Sequence, residues 1–93
     1  MAQLLSDTDV QERLTQLPDW TLQGKEIQSV RKFKDFVEAI AFVNRLVEPA
    51  EAANHHPDIT ISYNRVSIAL TTHDAGGLTE NDFALAKAID QLA

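Results

Sequence analysis

The chain has 93 residues, 44% of them hydrophobic, and 14 Asp and Glu against 8 Lys and Arg give a formal net charge of -6. That length suits one core that buries only about two-thirds of the unfolded surface, and the acidic balance opposes direct nucleic-acid binding, whose affinity comes from clustered Lys and Arg. Cysteine is absent, which removes disulfides, thiolate metal sites and thiol nucleophiles. No apolar run is long enough to span a membrane, and "MAQLLSDTD" lacks the basic and apolar stretches of a signal peptide, so a cytoplasmic location is expected. With no internal repeat and no linker-like stretch, residues 1–93 are expected to form a single domain.

Ser6 followed by Asp9 is a helix-start pattern. Leu5 and Val10 stand at the two positions of a hydrophobic staple, and Leu14 and Leu17 carry the apolar face to Pro18. Gly24, between two β-compatible runs, predicts a hairpin of residues 20–23 with 26–33, with the register open because both Ile27 and Val30 are apolar. From Asp35, the residues Phe36, Ile40, Val43, Val47 and Ala50 recur at spacings of three and four, which predicts an amphipathic helix running toward Asn54. Pro49 inside it removes a backbone donor and is expected to kink or tighten the last turns. After Pro57 the period changes to two, with Ile59, Ile61 and Tyr63 on one face, and predicts a half-buried strand. A tight turn at Tyr63-Asn64 leads to a return strand that buries Val66, Ile68 and Leu70 and turns Arg65, Ser67, Ala69, Thr71 and His73 the other way. Past the "DAGGL" loop, Thr79 opens a last helix with Asp82 at its third position, Leu78 and Phe83 as a staple, and Ala86, Ile89 and Leu92 on its apolar face. The order α-ββ-α-ββ-α predicts an α+β fold, a four-stranded antiparallel sheet with helices packed on one face.

Two of the three histidines are adjacent, in "EAANHHPDI". Neighbouring residues point about 100° apart on a helix and to opposite faces of a strand, so only a junction lets both imidazoles approach one site. Pro57 biases His56 toward extended backbone and makes such a junction. If the last two strands pair as a hairpin, His55, His56 and His73 come to the same end of the sheet. Glu51 lies one helical turn before His55, and Asp82 opens the helix that follows His73. Imidazole is the side chain suited to exchanging protons near neutral pH, so this set points to proton transfer. Each residue also has a structural alternative, above all Asp82, which with Thr79 makes a capping box. Metal ligation is the other reading of three histidines, but HExxH and paired-Cys patterns are absent and adjacent histidines are awkward joint ligands, so no metal is expected. There is no GxSxG, and Gly76-Gly77 alone is no phosphate loop.

Glu51-x3-His55-His56-Pro57, an aromatic at Tyr63, His73 and Asp82 together resemble the signature of the pterin-4a-carbinolamine dehydratases. The segments "FKDFVEAIAFVNR", "YNRVSIALTTH" and "GGLTENDFALA" extend the resemblance from about Trp20 to the C-terminus. It implies a four-stranded α+β fold, a homodimer or homotetramer, and dehydration of a small-molecule pterin, 4a-hydroxytetrahydropterin, to quinonoid dihydropterin with no cofactor and no metal. His55 and His73 would then be the acid/base pair, and His56 the imidazole that binds and orients substrate. Asp82 would orient a histidine or bind the pterin, with Glu51 beside them. The same resemblance carries an alternative, since the family includes a non-catalytic dimerisation cofactor and assembly chaperones. Ile59 stands where many members have an aromatic residue, and Pro49 is unusual in the long helix.

Overall fold

The computed structural model describes residues 3–92. The first helix, α1 (Asp7–Leu14), begins where Ser6 Oγ accepts the Asp9 N–H at 3.1 Å. It is shorter than its apolar pattern, but Leu17 beyond it is still buried. The hairpin follows as β1 (Thr21–Gln23) and β2 (Glu26–Lys32), with Gly24 in the turn at a φ of 62° that favours glycine. The open register resolves by parity: Ile27 and Ser29 are buried, while Val30 is exposed on the opposite face.

Helix α2 (Phe36–Ala53) starts at Asp35, whose side chain accepts the Glu38 N–H at 2.9 Å, and runs continuously through Pro49. Its buried stripe matches the expected one only in part, with Ala50 buried and Ile40 half-buried as expected. Ala39, Phe42, Leu46 and Ala50 face the core with Val43 half-buried, whereas Phe36 and Val47 are 51% and 58% exposed. Both rows obey helical spacing, so periodicity alone does not choose between them, and packing against the sheet does.

Strands β3 (Asp58–Ser62) and β4 (Arg65–Leu70) form the second hairpin, in a wholly antiparallel sheet of order β1-β2-β4-β3. The register sets Ile59 opposite Ile68 and Ile61 opposite Val66, on the core-facing side. The expected half-burial of β3 is met only in part, because Ile59 and Ile61 at this edge are 36% and 37% exposed, and Tyr63 lies in the hairpin turn at a φ of 54°. Alternation assigns a face, but not whether a helix covers that edge. The turn is tied to the end of β2: Phe33 N–H donates to the Asn64 carbonyl at 2.8 Å, and Asn64 Nδ2 donates back at 2.9 Å.

Helix α3 (Glu80–Asp90) carries the expected capping box of Thr79 and Asp82. The three helices cover one face of the sheet, with Ile27, Val66, Ile68 and Leu70 packed into one cluster with Phe42, Leu46, Phe83, Ala86 and Ile89. Each such large apolar side chain contributes about 1.5–3 kcal/mol by leaving water. Asp90 at the end of α3 joins the sheet to the helix layer, accepting from Trp20 Nε1 at 3.0 Å and from the Arg31 guanidinium. Among the described residues no helix is long and apolar enough to cross a membrane.

Candidate active site

The position of His55 is set by how α2 ends. Asn54 adopts the left-handed conformation at φ 50°, the His55 N–H reaches back to the Ala50 carbonyl, and the Asn54 N–H to that of Glu51, both at 3.1 Å. This is a Schellman closure, and Asn is one of the few residues that tolerates its left-handed position. It reverses the chain so that the His55 ring meets the first turn of α3, where Nε2 lies 2.5 Å from Asp82 Oδ1. The His55 side chain is 12% exposed and that of Asp82 is 0% exposed.

The buried carboxylate has a full set of partners. Its Oδ2 accepts the Thr79 N–H at 2.9 Å and the Thr72 hydroxyl at 2.8 Å. An ionised carboxylate only accepts, so with Asp82 as the carboxylate the bond on Oδ1 is donated by the ring, and a neutral His55 is then the tautomer protonated on Nε2. Its Nδ1 has no protein partner among the described residues. Since no buried side-chain nitrogen or oxygen there is left unpartnered, Nδ1 opens to solvent. A carboxylate that holds one imidazole nitrogen as a donor leaves the other ready to take or return a proton. Asp82 therefore both caps α3 and hydrogen-bonds the His55 ring.

The other two histidines occupy separate settings. His56 Nε2 pairs with Glu51 Oε2 at 2.5 Å, and both side chains are more than half exposed. His56 also borders a cavity of about 220 Å³ floored by Val43, Val47, Ala50, Pro57 and Ile59. His73 was expected at a strand end, but β4 stops at Leu70 and His73 begins a single 3-10 turn that Gly76 closes at φ 78°. It is exposed and lines a second cavity of about 320 Å³ with Gln23, Lys25 and Glu26. The pairing of Asp58 with Ala69 does bring His55, His56 and His73 to one end of the hairpin. Among the described residues, however, no hydrogen bond or ion pair joins His73 to the other two, and no three His, Asp or Glu side chains converge as a metal-holding group.

Thr72 escaped the sequence reading, although a signal for it exists. Residues 66, 68, 70 and 72 share the inward parity of β4, and a threonine at the end of that buried series is a polar group that needs a buried partner.

A four-stranded antiparallel sheet under three helices makes this molecule an α+β protein, with a carboxylate-held histidine at one end of its second hairpin. A solved structure described as a transcriptional coactivator/pterin dehydratase from Brucella melitensis superposes with a TM-score of 0.90 at 35% identity, over 96% of this chain and 97% of that one. A pterin dehydratase-like protein described as a RuBisCO assembly factor in the alpha-carboxysome gives 0.68 at 28% identity, over 81% and 89% of the two chains. The chain belongs to the pterin 4 alpha carbinolamine dehydratase family, whose pattern matches residues 3–92. A relative from Cyanothece sp., provisionally named a pterin-4-alpha-carbinolamine dehydratase, is 69% identical over 93 residues, all of this chain and 96% of its own length. One from Acidobacterium capsulatum with the same provisional name is 60% identical over 92 residues, 99% of each chain.

Proposed function

We propose that this protein dehydrates a 4a-hydroxytetrahydropterin to a quinonoid dihydropterin, as the recycling step for a pterin cofactor. The observation that carries the reading is the His55–Asp82 pair, in which a buried, fully bonded carboxylate holds the ring proton on Nε2 and leaves Nδ1 open. In this reaction the C4a–O bond breaks, and the oxygen keeps the bonding electrons, takes a proton and leaves as water. The adjacent ring nitrogen forms the new double bond to C4a and gives up its proton. The step moves two protons and no net electrons, which is work for imidazoles. His55 through Nδ1 and His73 are the acid/base pair, and His56, tied to Glu51 beside an apolar cavity, binds and orients the pterin. Asp82 positions His55.

The test is to add the protein to freshly generated carbinolamine and follow the decay of its ultraviolet absorbance. The decay should accelerate, and His55→Ala should lose roughly 10²-fold or more without loss of fold. A folded wild-type protein that leaves the decay at its uncatalysed rate refutes the reading. The alternative is then a non-catalytic role, as an assembly factor or a dimerisation cofactor, supported by the structural likeness to the RuBisCO assembly factor.

A further inference from the structure

Thr72 leaves β4 with its side chain buried between the sheet end and α3, at 9% exposure. Its hydroxyl has one proton and two oxygen neighbours, Asp82 Oδ2 and Thr79 Oγ1, each at 2.8 Å. Thr79 Oγ1 also accepts the Asn81 N–H at 3.2 Å, and Thr79 is fully buried. One direction satisfies every group: Asn81 N–H donates to Thr79 Oγ1, the Thr79 hydroxyl to Thr72, and the Thr72 hydroxyl to Asp82 Oδ2. The reverse direction leaves the Thr79 proton without an acceptor and Oδ2 with a single donor. Capping α3 requires only the Thr79 contacts, so the Thr72 bond adds something beyond the cap. It clamps Oδ2 from a second chain segment, which prevents the carboxylate from rotating and keeps Oδ1 on the His55 ring.

We propose that Thr72 is a positioning residue: by donating to Asp82 Oδ2 it fixes the carboxylate that holds His55 as the Nε2–H tautomer, with Nδ1 presented to the substrate. The effect on turnover rests on the dehydratase reading above, whereas the effect on the tautomer rests on geometry alone. The experiment compares wild type, Thr72→Val, which keeps the shape and loses the donor, and Thr72→Ser, which keeps the donor. Nitrogen-15 NMR of the imidazoles, at a pH where His55 is neutral, reads which ring nitrogen carries the proton. Carbinolamine decay gives kcat and KM. Wild type and Thr72→Ser should carry the proton on Nε2. Thr72→Val should show mixed tautomers and a kcat roughly tenfold lower, with KM changed less than about twofold. A purely structural threonine would lower the melting temperature of Thr72→Val while leaving tautomer and kcat of the folded protein unchanged, and that result overturns the proposal. Should Thr72→Val fail to fold, the wild type still decides, since His55 protonated on Nδ1 refutes the arrangement. If the wild type has no dehydratase activity, the functional reading falls, while the tautomer comparison continues to test the positioning.

Discussion

Replacing Asp82 by Asn and by Ala separates its cap from its hold on His55. Asn keeps a carbonyl oxygen that accepts the Thr79 N–H and the Thr72 hydroxyl, but it sets an NH2 group where Oδ1 met the ring. Two N–H donors then face each other, and His55 must shift its proton to Nδ1, the nitrogen that the proposed dehydration needs open. The fold loses little, about 1 kcal/mol or less, because the capping bond survives. Turnover should fall by roughly 10²- to 10⁴-fold, the usual range for a misplaced general acid or base. Ala removes every acceptor. The lost cap costs about 1 kcal/mol, and the stranded buried donors add about 1–3 kcal/mol. The sum of roughly 2–4 kcal/mol corresponds to a melting temperature lower by roughly 10–30 °C in a domain of this size. Thermal melts followed by circular dichroism, with carbinolamine decay measured on the folded fraction, check both quantities. Wild-type turnover in Asp82→Asn would reduce the carboxylate to a helix cap, and equal destabilisation by Asn and Ala would refute the hydrogen-bond assignment on Oδ2.

The Arg13 guanidinium bonds both oxygens of Glu80, at 2.6 and 2.7 Å, and this hydrogen bonding holds the Glu80 carboxyl below its ordinary value of 4.5 against a smaller opposing effect of desolvation. A lowered carboxyl contributes stability above its unfolded value and loses it as pH falls through the folded one. The melting-temperature gap between wild type and Glu80→Gln should therefore be present at neutral pH and close as pH falls below the ordinary 4.5 and through the lowered folded value, and it should shrink in high salt because the pair is exposed. An unchanged gap in acid would show that the pair is not its source. Exhaustive chelation should leave turnover intact, because proton exchange by imidazoles needs no Lewis acid, and a bound zinc whose removal abolishes activity would overturn the mechanism. Light scattering at micromolar concentration should give a dimer or tetramer, since Phe36, Val37 and Val47 leave an exposed apolar row on α2. The double variant Val37→Asp/Val47→Asp should shift the protein to a smaller species, and a monomeric wild type would contradict the expectation.

The element order, the helix starts at Ser6, Asp35 and Thr79, the turn at Gly24 and the inward series Val66, Ile68, Leu70 were all legible in the chain, because each depends on residues within a few positions of one another. The resemblance to the family signature offers the histidines and Asp82 as candidates on local motifs alone. The fold alone decided which of two overlapping periodic rows of α2 meets the sheet, and that β3 lies at an edge. It also decided that His55 takes the buried carboxylate while His56 turns to Glu51. The physical reason is range. Periodicity and capping are local energies, whereas the bond from His55 to Asp82 spans 27 residues, and it exists because a left-handed Asn54, a hairpin and a helix start bring two distant backbones to the same point.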